Sequence, residues 1–294
     1  MNQIFQAIIL GVIQGVTEFI PISSSGHLVV TEYFLHWNEL GGKTFDLALH
    51  FGTLLALLIY FWKDISKYAN AMLPYNPSPP AGEGMSDEAL AQSGRERGGA
   101  GDNADRKLAW LLLLSALPGF IFGGLFENYL EAKMGHPLIV AFNLAFFGVI
   151  LFAADHYGKK ERRLEKVNWK DALVIGLSQA VALIPGVSRS GITMTAGIFR
   201  KLTRDTAARF SFLMLVPIVL GAVAYKTLKV AMHHELSGIF SLTYFAGILA
   251  AFISGYACIA FLLNYLRKRN FDVFVIYRII LSLVIIIWYF AGQK

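Results

Sequence analysis

Cysteine is almost absent. The chain of 294 residues has one, Cys258, and it lies in an apolar run. An intramolecular disulfide and a cysteine-built metal centre are therefore excluded, and Cys258 reads as a small buried hydrophobe. Charge is scarce too: Asp, Glu, Lys and Arg make up 16% of the residues, against about a quarter in soluble domains. No Walker-type phosphate loop is present, which argues against nucleotide-driven work. The start Met1–Val12 has no basic n-region and no A-x-A-like cleavage site, so no cleavable leader is expected. Large apolar side chains are nearly missing from Pro74–Asp105, which mixes Pro, Gly and charged residues. Such a segment cannot repay the entropy of ordering and is expected to be a flexible cytoplasmic loop.

Apolar residues are plentiful, at 55% of the chain. They recur in runs at Leu47–Trp62, Leu108–Phe126, Leu138–Ala153, Phe210–Ala224, Leu242–Leu263 and Phe271–Phe290. A helix needs roughly 17–25 such residues to cross the hydrocarbon of a bilayer. A soluble protein with this many core helices would need more covering surface than the chain has. The net charge of +6 does not point to nucleic acid, because the Lys and Arg residues sit in short loops beside apolar segments, the pattern of membrane orientation. The expected class is an all-α polytopic membrane protein.

The basic clusters are Lys63 and Lys67, Arg106 and Lys107, Lys159–Lys170, Arg200–Arg209, and Arg267–Arg269; the turns around Glu127–His136 and His233–Gly238 are poor in Lys and Arg. Placing the clusters in the cytoplasm gives three crossings that end at the Lys159 loop and three that follow. Two apolar segments, about residues 4–30 and 172–198, are left over. Each is broken by Pro, Gly and Ser, and each is expected to be re-entrant. Gly11, Gln14, Ser23, Ser25 and Gly26 recur as Gly176, Gln179, Ser188, Ser190 and Gly191 at a constant offset of 165 (14 to 179, 25 to 190). The expectation is an inverted repeat, residues 1–170 and 171–294, with three transmembrane helices and one re-entrant broken helix per half. In such folds the broken helices meet near the midplane and build the site.

The first break carries Gln14-Gly-Val-Thr-Glu18-Phe-Ile-Pro21-Ile-Ser23-Ser24-Ser25-Gly26-His27. Gln14 and Glu18 share a helix face, Pro21 ends the regular helix, and three hydroxyls and an imidazole follow. Polar groups at membrane depth are tolerated only in a protein interior or a wet cavity. Helix capping accounts for the serines but not for Glu18 and His27 together. The second break carries Pro185-Gly186-Val187-Ser188-Arg189-Ser190-Gly191-Ile192-Thr193. A guanidinium fork among small residues at a helix start suits phosphate oxygens; the plainer reading is an interfacial arginine anchoring a helix end. Together the loops offer an anion cradle facing an acid, base or nucleophile, which is what phosphate ester or anhydride cleavage needs.

Q-G-V-T-E-F-I-P-I-S-S-S-G-H and P-G-V-S-R-S-G-I-T resemble the two signature motifs of the bacterial undecaprenyl-diphosphate phosphatase family, also called bacitracin-resistance protein. The likeness continues through F-D-L-A-L-H-F-G-T and F-S-F-L-M-L-V-P. The resemblance implies removal of the terminal phosphate of a polyprenyl diphosphate lipid, in the bacterial inner membrane, with the site facing the periplasm. It also implies divalent-cation dependence and an effect on bacitracin tolerance. Carried over by position, the catalytic residues are Glu18, His27, Ser24 and Arg189. Gln14, Ser23, Ser25, Ser188, Ser190 and Thr193 bind substrate, and Glu18 is the metal residue, with Mg²⁺ or Ca²⁺ suited to hard oxygen ligands. The family admits Glu or Gln at position 14; Gln14 cannot act as a base or a charged ligand. Whether His27 or Ser24 is the nucleophile stays open on sequence, and an inverted-repeat transporter or a polyprenyl-phosphate flippase are the rival readings.

Overall fold

The computed structural model describes residues 3–35, 37, 43–73, 100–232 and 241–291. Among them the secondary structure is helical throughout, apart from an isolated bridge between Arg162 and Leu202. The helices are α1 (Gln3–Phe19), α2 (Ser24–Leu35), α3 (Lys43–Tyr60), α4 (Trp62–Met72), α5 (Ala100–Met134) and α6 (Pro137–Tyr157). After a short 3₁₀ turn come α7 (Trp169–Val181), α8 (Arg189–Phe199), α9 (Arg204–Met232), α10 (Leu242–Leu266) and α11 (Asp272–Ala291).

Five helices, α5, α6, α9, α10 and α11, are long and apolar enough to cross a membrane, and six if the bent pair α3–α4 counts as one span. Their outward faces carry large bare hydrophobics such as Leu125, Phe142 and Ile287. In water this would be costly; against lipid tails it costs nothing.

Three expectations need correction. The run Leu47–Trp62 is not one straight crossing: α3 stops at Tyr60 and the chain turns by 75° into α4. The reason is charge, because α4 carries Lys63, Asp64 and Lys67, and Asp64 and Lys67 are tied sideways to Arg209 (2.6 Å) and Asp105 (2.9 Å). Helix α5 begins at Ala100, so the end of the expected loop Pro74–Asp105 is helical, held by that Lys67–Asp105 pair; residues 74–99 lie outside the described residues. Similarly, α5 runs on to Met134, leaving only Gly135 and His136 as the turn expected at Glu127–His136. The turn at His233–Gly238 lies outside the described residues.

Both expected breaks are present. Helix α1 gives way to α2 across Ile20–Ser23, and α7 to α8 across Ala182–Ser188. The two breaks share a backbone signature: Ser23 and Ser188 have φ of +77° and +74°, a left-handed conformation uncommon for a residue with a Cβ. Each then caps the helix that follows, Ser23 Oγ accepting from Gly26 N (3.3 Å) and Ser188 Oγ from Gly191 N (3.2 Å). Packing repeats as well. A Cβ on Gly11 would stand 2.4 Å from the Gly247 carbonyl, and one on Gly176 would stand 2.4 Å from that of Ser115. Helix α1 thus lies on α10 as α7 lies on α5, each through a glycine that lets backbones touch.

The basic clusters converge at one end of the bundle. Lys67, Lys107, Arg163, Arg209 and Arg267 all line one cavity of about 780 Å³. Nearby, the fully buried Asp171 accepts from Arg162 (2.6 and 3.1 Å), Arg200 (2.7 Å) and the Asn168 amide (2.9 Å). Burial alone would push the Asp171 carboxyl up, but these donors outweigh it and hold it below the usual carboxylate range. Its stabilisation is therefore complete above the unfolded value near pH ~4 and is lost as pH falls through the lower folded value. Asp171→Asn should cost about 3 kcal/mol at neutral pH. Thermal unfolding in detergent between pH 7 and 3 should show a shallower acid dependence for the variant than for the parent.

Candidate active site

Glu18 sits near the end of α1 and is 6% exposed, so its carboxylate is enclosed by what surrounds it. Oε2 accepts from Gln14 Nε2 at 3.1 Å, one turn back on α1, and from Ser24 Oγ at 2.7 Å, the first residue of α2. Oε1 faces Arg189 Nη1 at 3.7 Å. His50 of α3 stands on the other side, its Nε2 at 4.0 Å from Oε2. The break at Pro21–Ser23 is what folds Ser24 back onto Glu18; in an unbroken helix, residues six apart point to different faces.

Arg189 and Ser24 are the first residues of α8 and α2. The first N–H groups of a helix lack partners inside it and carry its positive dipole end. Two such ends meet here, since Ser190 Oγ of the second loop donates to the Ile20 carbonyl of the first at 3.1 Å. The place is suited to an anion. Arg189 and Ser24 are part-exposed and Ser25 is exposed, so these side chains are available to a ligand.

The remaining candidates are placed differently. Gln14, Ser23, Ser188, Ser190 and Thr193 are buried. Their polar groups face inward: Gln14 onto Glu18, the Ser23 and Ser188 hydroxyls onto their own helix starts, and Thr193 onto the Arg189 carbonyl (2.8 Å) and Ser211 Oγ (2.6 Å). They shape the two loops. His27 has other partners than Glu18. Its Nδ1 lies 2.7 Å from the Ser23 carbonyl and its Nε2 lies 2.7 Å from the Tyr277 hydroxyl. A carbonyl only accepts, so Nδ1 carries the proton and Nε2 accepts from Tyr277.

Sequence reasoning did not single out His50, Tyr277 or Arg278. Arg278 had a visible signal, a lone cation inside the apolar run Phe271–Phe290. It is fully buried. Its Nε donates to the Leu144 carbonyl (2.8 Å), Nη1 to Pro21 (3.1 Å), and Nη2 to Asn143 (3.3 Å), Gly186 (3.1 Å) and Val187 (3.0 Å). One guanidinium thereby holds both loops against α6. Asn143 Nδ2 adds a bond to the Pro185 carbonyl at 2.8 Å.

One group elsewhere has metal-ligand spacing among the described residues: Asp155, His156 and Asp272. Asp155 is already held by Arg204 (2.5 Å), Lys160 (3.9 Å) and the Phe271 amide (3.0 Å). Two cations compete with any metal there, and the group reads as a tie between helix ends.

The family model described as "Bacitracin resistance protein BacA" matches residues 7–284. The chain belongs to this family. It is 43% identical over 283 residues to the undecaprenyl-diphosphatase of Moorella thermoacetica, covering 96% of this chain and 97% of the relative. It is 42% identical over 290 residues to that of Colwellia psychrerythraea (97% and 98% covered), and 41% identical over 286 residues to that of Caldicellulosiruptor bescii (97% of each).

Replacing Arg278 tests whether it joins the two loops. Arg278→Met removes the buried cation and leaves the five carbonyls without it, so unfolding should come several degrees lower in detergent. Arg278→Lys has too few donors and no planar fork and should recover little. A melting curve unchanged in both variants would rule out the clamp.

Proposed function

We propose that this chain hydrolyses undecaprenyl diphosphate to undecaprenyl phosphate and inorganic phosphate at the junction of its two broken helices. Release of the monophosphate returns a lipid carrier to peptidoglycan and envelope polymer synthesis and links the protein to bacitracin tolerance. Family membership supplies the substrate class. The observation that carries the site is Ser24 Oγ donating to Glu18 at 2.7 Å beside the Arg189 guanidinium.

Arg189 and the N-terminal amides of α2 and α8 hold the phosphate oxygens, where charge grows during transfer. Glu18 takes the hydroxyl proton as Ser24 Oγ attacks the terminal phosphorus. The bond from that phosphorus to the bridging oxygen breaks, and the prenyl monophosphate departs. Water then attacks the phosphoserine, the phosphorus–Oγ bond breaks, and Ser24 regains its proton through Glu18. Ser24 is favoured over His27 because the His27 Nε2 lone pair is occupied by Tyr277.

The donor set also fits a hard divalent cation such as Mg²⁺ or Ca²⁺. Glu18 would hold it, and the buried Gln14 Oε1, which has no hydrogen-bond partner, is a further oxygen. When bound, such an ion neutralises charge on the diphosphate.

The two halves are read as an inverted repeat with the site toward the periplasm. Supporting this are the paired backbone signature of Ser23 and Ser188, the paired glycine contacts, and the gathering of basic clusters at one end. A cysteine at Gly135 should therefore react with an impermeant reagent outside intact cells, while one at Lys159 should not. Equal labelling would refute that topology.

The activity test is phosphate release from undecaprenyl or farnesyl diphosphate by purified protein, with and without EDTA. Arg189→Lys keeps the charge but loses the bidentate grip, and Ser24→Ala removes the nucleophile. Each should lower turnover by about 10²–10³ or more in a well-folded protein. Near-normal turnover in Arg189→Lys would return the second motif to a helix-end anchor.

A further inference from the structure

We propose that His50 is a protein ligand of the divalent cation at Glu18. This rests on the cation dependence proposed above. The imidazole Nδ1 of His50 lies 2.8 Å from the Asp46 carbonyl, one turn back on α3. A carbonyl accepts only, so Nδ1 carries a proton, and the tautomer protonated there alone has its Nε2 lone pair open to a ligand. That lone pair faces Glu18 Oε2 at 4.0 Å.

In that tautomer Nε2 and Oε2 are both acceptors, and a cation between them would bind both. A direct N–H···O bond from a protonated ring does not fit, because 4.0 Å is well beyond its range. A shared ion does fit. With bonds of about 2.1 Å, nitrogen and oxygen ligands of one metal can stand up to about 4.2 Å apart. Tying Nδ1–H to a backbone carbonyl is also how metal-binding histidines are oriented and made more basic.

The neighbouring groups agree. Oε2 of Glu18 is already approached by the neutral donors Gln14 and Ser24, and Arg189 is on Oε1, so the basic side chain beside Oε2 is His50. Gln14 directs its NH₂ to Glu18, and its buried Oε1 has no partner. One carboxylate and one imidazole make a mixed site. The nitrogen shifts preference from Ca²⁺ toward a transition-metal ion.

The test uses the full-length protein purified in detergent, stripped with EDTA and loaded with Mn²⁺. Pulsed electron paramagnetic resonance should show nitrogen coupling to the ion, and it should convert to the ¹⁵N pattern when histidine is ¹⁵N-labelled. His50→Gln should abolish the coupling and weaken Mn²⁺ binding by about tenfold or more. His156→Gln and His27→Gln should retain it, which separates this site from the Asp155–Asp272 group. Coupling that survives His50→Gln, or is lost only in one of the other variants, would overturn the assignment. Should His50→Gln aggregate, the labelled parent still decides, since absence of histidine coupling overturns the proposal. If Mn²⁺ binds and restores phosphate release without that coupling, only the His50 assignment fails. If EDTA leaves release unchanged and Mn²⁺ does not bind, the cation dependence fails first.

Discussion

The arrangement depends on a buried cation satisfied by backbone. Moving a guanidinium out of water costs several kcal/mol even after relaxation, and Arg278 is fully buried. Its partners are carbonyls from Pro21 on the first break, Gly186 and Val187 on the second, and Asn143 and Leu144 on α6. Breaking a helix frees carbonyls that lipid cannot solvate. The charge needs acceptors and the broken helices need a donor, so each cost offsets the other. With the carbonyl ends gathered on Arg278, the opposite helix starts at Ser24 and Arg189 come together on Glu18.

The two breaks are alike in backbone and unlike in side chains. Ser23 and Ser188 adopt the same left-handed turn and make the same capping bond. One residue on, the corresponding positions are Ser24 and Arg189, a hydroxyl on one side and a guanidinium on the other. Glu18 corresponds to Leu183 and His27 to Ile192. Duplicated backbone geometry supplies two anion-directed helix starts, and substitution at three positions divides the labour between them. Ser24 and Arg189 are thereby presented by turns of matching backbone conformation.

The surrounding helices meet the demands of lipid in a different way at each depth. Within the apolar zone, contact is close and made by small residues, as at Gly11 with Gly247 and Gly176 with Ser115. At the basic end, charges are paired across elements, as in Asp171 with Arg162 and Arg200, Asp155 with Arg204, and Asp64 with Arg209. The bend from α3 to α4 lies at the boundary between these regimes.

The amino-acid sequence by itself determined what depends on near neighbours. Runs of apolar residues marked the spans, Pro and Ser within such runs marked both breaks, and Glu18, Ser24 and Arg189 stood out because polar side chains at those depths are costly. The family was legible from the same two motifs. Hidden from that reading were the 75° turn after Tyr60, the helical start at Ala100, the turning of His27 toward Tyr277, and the roles of His50 and Arg278. Each involves partners far apart in the chain: His27 and Tyr277 are 250 residues apart, and Arg278 and Pro21 are 257 apart. Hydropathy and helix-breaking act over a few residues and can be read locally. Which lone pair faces which carboxylate is decided only when the helices pack, because packing alone fixes the distances on which electrostatics and hydrogen bonding depend.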